Sequence, residues 1–167
     1  MLALDDSRWT EFMGGYRVKY DARPLLDRFK LGKDEKECWN EVWNILYHQY
    51  NIDLASYAFF PHIVDVYANR PRTFDLYSYA ERLELCKGRY GNPSIPIWML
   101  ESHKFALTRL GHMIPHDLFY RDDSDLALSI GTFVFAVAGR TDISAVLENI
   151  DHWINENEGQ TPKDRLN

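Results

Sequence analysis

Cysteine is scarce in this chain. Only Cys38 and Cys86 occur among 167 residues, with no C-x-x-C spacing, which argues against a disulfide-framed secreted scaffold or a zinc ribbon. Each sits among apolar and helix-forming neighbours, so both are expected as buried, reduced thiols suited to a reducing compartment. Long hydrophobic runs are missing too. The longest strongly apolar stretch without charge, Leu126 to Gly139, has 14 residues, short of the roughly 20 that a membrane-spanning helix requires. The opening MLALDDSRW reaches two aspartates after four apolar residues and does not read as a secretory leader. A cytoplasmic protein without a membrane partner is the expectation. Phosphate-cradling and catalytic frames are also absent: there is no Walker loop, G-x-G-x-x-G turn, EF-hand loop or nucleophile elbow. Neither a cofactor nor enzymatic activity is expected.

What the chain does have is apolar and aromatic mass. Hydrophobic residues make up 46% and aromatic residues 14%, enough for one continuous core in a chain that should bury about 70% of its unfolded surface. The net charge of -6 is unevenly laid out. Residues 1–121 hold 16 acidic and 16 basic side chains, whereas residues 122–167 hold 9 acidic and 3 basic ones. Such an end repels nucleic acid and attracts a basic partner. The plainer reading, a solvated face that only keeps the protein soluble, stands beside it. A smaller basic excess at 17–36 has little aromatic interleaving beyond Tyr20 and Phe29, so nucleic acid is not expected as a partner.

Helical period dominates, and no segment sustains the alternation of a strand. Short helices are predicted over Ser7–Met13 and Pro24–Leu31, separated by the turn Gly14-Gly15 and an extended run from Tyr16 to Tyr20. Asp34 and Glu37 resemble a capping box ahead of a helix through Trp39, Val42, Trp43 and Leu46 to about Tyr50. The next helix starts near Leu54, contains Pro61 as a kink or late start, and ends before Pro71. Another runs from Thr73 toward Gly88, and Gly88 to Pro96 reads as a loop. A long helix from Ile97 should fade between Gly111 and Pro115. Asp122, Asp123 and Ser124 are candidate caps for a helix over Asp125–Ala138, apolar on almost every face and therefore central. Thr141 or Asp142 caps a last helix to Ile154. The expectation is an all-α fold: seven or eight helices in antiparallel hairpins, either a small α-solenoid or a globular helical bundle. A single helical domain would cover 1–154, with 155–167 a polar tail.

Polar chemistry is densest from Trp39 to Val64, WNEVWNILYHQYNIDLASYAFFPHIV. Glu41 and His48 are seven residues apart, which puts them on one face of a helix, and His62 can approach them if the hairpin closes. A histidine, a carboxylate and a hydroxyl suffice for general acid–base work. The competing reading makes Glu41, His48, Gln49, Ser56, Tyr57 and His62 a buried structural network that stitches two helices together. His112 and His116 have a metal-ligand spacing with Asp117 beside them. Pro115 interrupts the pair and no H-E-x-x-H frame exists, so no metal site is expected.

Within this patch, W-x-E-V-W-x-x-L-x-H-Q from Trp39 to Gln49 and A-S-Y-A-x-x-P-H-I-V from Ala55 to Val64 resemble a motif of small bacterial HEAT-like helical proteins. Among those are immunity proteins of polymorphic and contact-dependent toxin systems. The resemblance covers 26 of 167 residues and implies a helical hairpin whose motif is a packing signature, with recognition residues elsewhere. Together with the acidic end, it implies an immunity protein that neutralises a cognate bacterial toxin, a nuclease above all, by masking its basic active-site cleft. The partner-binding candidates are Asp122, Asp123, Asp125, Asp142, Glu148, Asp151 and Glu156, with Tyr120 or Trp153 as aromatic anchors. Two alternatives remain open: a small hydrolase using Glu41, His48 and His62, and a helical adaptor with a peptide groove lined by Tyr57, Phe60 and Tyr67.

Overall fold

The computed structural model describes residues 1–120, 123–144, 146 and 147, without the side chains of residues 119 and 120. Among them the fold is all-α, as the periodicity predicts. After a 3-10 turn at Ser7–Thr10 come α1 (Arg23–Leu31), α2 (Glu35–Glu41), α3 (Leu54–Val66), α4 (Phe74–Cys86), α5 (Ile97–Tyr120) and α6 (Ser124–Val137). A π-helical turn at Val42–Leu46 prolongs α2, and a 3-10 turn at Tyr67–Asn69 follows α3. Extended pairing among the described residues is limited to two isolated bridges, Met13 with Lys19 and His48 with Asn51. No helix among these residues is long and apolar enough to cross a membrane. The expected domain boundary at residue 154 lies outside the described residues.

Local signals account for most helix ends. Pro24 stands in the first turn of α1, and Gly32, at φ 65°, ends it. Asp53 caps α3: its carboxylate accepts from Leu54 N–H at 2.7 Å, and the Ser56 hydroxyl accepts from Asp53 N–H in return. Every residue from Ala55 to Val64 is buried, so α3 is the helix surrounded by the others. It lies against α1 and α5, while α4 lies against α6. Helices of alternate order therefore sit side by side in α1–α3–α5 and α4–α6, an arrangement that fits a small α-solenoid and a globular helical bundle alike. Tyr79 on α4 joins the two rows, with its ring 6.0–6.5 Å from those of Trp39, Trp43, Phe59 and Phe60. Cys38 and Cys86 are free and buried, and burial pushes the Cys86 thiol up to about 11.

Several boundaries differ from expectation for physical reasons. The Ser7–Met13 segment forms only the 3-10 turn. Asp34 is left-handed at φ 52° and makes no side-chain cap, so the working capping box is Asp53 with Ser56. The helix through Trp39 widens into the π turn and stops before Tyr47. Pro61 sits inside one uninterrupted α3. Likewise α5 runs through Pro115 to Tyr120, anchored beyond the proline by Asp117, which Arg72 and Tyr77 hold. Finally, α6 is one-sided: Leu126, Ile130, Phe133 and Ala136 are buried, whereas Val134 and Val137 are exposed.

Candidate functional site

The six residues predicted as one polar network are held separately. No hydrogen bond joins any two of them. Glu41 accepts from the Tyr20 hydroxyl and from Arg28, at 2.5 Å for the latter; burial, reinforced by this carboxylate, pushes the Tyr20 phenol up. The π turn ends the helix at Leu46, so His48 does not share a helix face with Glu41; it stacks on Tyr16 instead, with ring centroids 4.0 Å apart. Gln49 is exposed in the turn after it. The Ser56 and Tyr57 hydroxyls donate to the carbonyls of Leu46, at 2.6 Å, and Pro93, at 2.8 Å. His62 Nε2 donates to the Leu2 carbonyl at 2.9 Å beside the Trp9 ring, and burial lowers its pKa. Glu41, His48 and His62 thus do not converge, which removes the geometry the hydrolase alternative requires. The groove alternative also loses its lining, because Tyr57, Phe60 and Tyr67 are core residues.

Of the acidic candidates, Asp122, Glu148, Asp151 and Glu156 lie outside the described residues, as do Trp153 and the side chain of Tyr120. Asp123 caps α6 by accepting from Leu126 N–H at 3.0 Å. Asp142 is exposed but pairs with Arg140 at 3.0 Å, whose guanidinium holds its pKa low. Asp125 is exposed, with only a long 3.5 Å contact from Ser124.

Two buried charge clusters had no signal in local sequence spacing. Asp117 accepts from Arg72 at 2.5 and 2.9 Å and from Tyr77 at 2.8 Å, which turns the predicted His112–His116 neighbourhood into a clamp between the start of α4 and the end of α5. Glu84 accepts from His103 Nε2 at 2.7 Å and from Lys87. Burial raises this carboxyl, but the two donors outweigh it and leave the pKa lowered. No group of three or more His, Cys, Asp or Glu side chains suited to a metal ion occurs among the described residues.

The most distinctive surface is built by three turns remote in sequence: residues 14–18, 47–51 and 88–92. Gly15 N–H donates to the Ile45 carbonyl at 2.7 Å, and a Cβ on Gly15 would meet the Asn51 carbonyl oxygen at 2.8 Å; only glycine allows this approach. Arg17 donates to Ile52 O at 3.0 Å, Gly91 O at 3.2 Å, Asn92 Oδ1 at 3.0 Å and the Asp53 carboxylate. Asn92, buried, also accepts from Ile52 N–H at 3.0 Å and donates to Tyr50 O at 2.7 Å and Cys86 O at 3.1 Å. On this frame Tyr16, Tyr50 and Tyr90 are 55%, 46% and 65% exposed. Tyr50 lies 5.5 Å from Tyr90 and 6.4 Å from Tyr47, and the Arg82 guanidinium stands about 6 Å from both the Tyr47 and Tyr50 rings.

No protein-family model, curated protein or solved structure matches the chain. Its chemistry rests on these side chains alone. They offer a tyrosine- and arginine-rich surface typical of binding hot spots, together with an acidic surplus toward the C-terminus.

Proposed function

We propose that the chain is a cytoplasmic immunity protein: it binds a cognate bacterial toxin domain, a nuclease above all, and masks its basic active-site cleft without catalysing a reaction. The observation that carries this reading is the charge layout, in which residues 122–167 hold 9 acidic and 3 basic side chains while the rest of the chain is balanced. An acidic segment is drawn onto a basic cleft by long-range attraction, which speeds encounter and imitates the charge of a nucleic-acid substrate. Asp125 supports the reading, because its exposed carboxylate has no ion-pair partner among the described residues. Asp123 and Asp142 have structural duties, so their contact with a partner is secondary. The separate engagement of Glu41, His48 and His62 also favours binding over hydrolysis.

Capture from the native host at moderate salt, with mass spectrometry of the retained proteins, tests this. The expected result is a basic protein domain held in an equimolar complex, released by raising salt and inactive while bound. A retained partner that is acidic, or one whose activity survives binding, refutes the reading, as does turnover of a small molecule by the chain itself.

A further inference from the structure

Left-handed backbone is costly for residues with side chains, by roughly 1–2 kcal/mol each, and it gathers at functional sites when it persists. Among the described residues five non-glycine positions have positive φ, and four of them belong to the three-turn surface: Arg17 at 61°, Gln49 at 46°, Tyr50 at 67° and Tyr90 at 56°. Glycine would serve each turn with less strain, and Gly88 and Gly91 show that the chain uses it nearby. Two of the four strained positions carry large exposed tyrosines. Local folding does not call for a tyrosine there, so the ring itself is what the strain secures.

The chemistry of the surface has a sign. The three turns carry Arg17 and Arg89 and no acid. Arg17 is held by Asp53, and the flanking Lys19 and Lys87 pair with Glu11 and Glu84, which leaves Arg89, exposed and without an ion-pair partner among the described residues, as the cation the surface offers. The rings are arranged edge-on or tilted, Tyr47 to Tyr50 at 71° and Tyr50 to Tyr90 at 47°, and His48 covers a face of Tyr16. They therefore present edges and hydroxyls more than open parallel faces on which successive bases stack. Rigid tyrosines with flanking arginines are the usual makings of a protein-binding surface.

We propose that the three-turn end is a second interaction surface, which binds an anionic protein segment through Tyr16, Tyr50, Tyr90 and Arg89. It is distinct in sequence from the acidic C-terminal segment, and its exposed Arg89 is of opposite sign to that segment's surplus.

The test is an amide-resolved NMR titration of the full chain with a short peptide of alternating Glu and Leu. The Gln–Leu isostere and oligothymidylate serve as comparisons. Shifts confined to residues 16–17, 48–51 and 89–91, weakened by salt and absent with the Gln–Leu peptide, are expected. Tyr50→Gly and Tyr90→Gly should keep or raise the melting temperature while lowering affinity about tenfold, as loss of a hot-spot ring does, and Arg89→Glu should lower affinity with the fold intact. Absent shifts, shifts elsewhere, equal binding of the Gln–Leu peptide, or tighter binding of oligothymidylate at the same amides overturns the proposal. So does a glycine variant that binds as well as the parent, or one that melts lower.

Discussion

Replacing Asp117 by Asn should be among the most damaging single changes available outside the apolar core. The carboxylate is fully buried and its Arg72 partner is 8% exposed at the side chain. Asp117 accepts three hydrogen bonds, two from Arg72 and one from Tyr77. Asparagine keeps one acceptor oxygen, so a charged bond is lost and a buried guanidinium loses its counter-charge, a class of change that costs about 3–5 kcal/mol. Arg72 also donates to the Arg70 carbonyl at 2.9 Å and contacts His116 at 3.0 Å, which places the expected loss at the lower end, about 3 kcal/mol. For a chain of this size that lowers Tm by about 6–12 °C. Urea denaturation at neutral pH measures it. The pH dependence has a definite sign. Burial raises the Asp117 carboxyl, but Arg72 and Tyr77 outweigh it and hold the folded pKa below the ordinary value. Its stabilisation is therefore complete above the ordinary carboxylate range and disappears as pH falls through the depressed value. The parent and Asp117→Asn should converge in acid. Replacing the pair together, Arg72→Met with Asp117→Leu, should cost less than Asp117→Asn alone, because no buried charge remains. A loss below about 0.5 kcal/mol, the level of an ordinary surface substitution, would refute the clamp, as would a double variant worse than the single.

Burial and close contact set two further outcomes. Gly15→Ala forces a Cβ to within 2.8 Å of Asn51 O and 2.9 Å of His48 N, both backbone atoms; it should destabilise by about 2 kcal/mol and shift the near-ultraviolet tyrosine signal of the three-turn end. Glu81 is 2% exposed, and burial raises its pKa against the opposing effects of Arg82 and the Ser144 hydroxyl. A raised carboxyl contributes its stability below the ordinary value and loses it as pH rises through the folded value. Glu81→Gln should accordingly gain about 1 kcal/mol at neutral pH and nothing in acid, as read from paired denaturation curves.

Helix identity was largely readable because its signals are local. Pro24 and Gly32 bracket α1, Gly88 comes just after α4, and apolar spacing marks α3. Misreadings arose where a distant contact overrides a local rule. Trp39, Val42, Trp43 and Leu46 have true helical spacing, but nothing in that spacing announces a π turn or the stop before Tyr47. Pro115 is a legitimate breaker, yet Arg72, 45 residues upstream of Asp117, holds the helix together beyond it. The same distance hid the pairing of His103 with Glu84. Charge was readable as a total, but not which carboxylates were already engaged, as Asp142 is by Arg140. The three-turn surface was not readable at all. Its parts were visible singly, as the Gly14-Gly15 turn and the Gly88–Pro96 loop, and only Arg17 and Asn92, reaching across the fold, make them one.

The π turn at Val42–Leu46 takes in one residue more than an α-helical path would. Such turns arise as single-residue insertions and gather at functional sites. The turn absorbs that residue: Tyr47 N–H bonds the Val42 carbonyl five residues back, so deleting one residue would restore the four-residue step of an α-helix and leave Tyr47 and the stretch after it facing Arg82 and Tyr90. The helix would still lay Trp39 against Tyr67 and Tyr79, upstream of the change. A one-codon difference in length would thus be silent for scaffold and surface alike, so homologues that share the core but lack that residue should recognise the same partner.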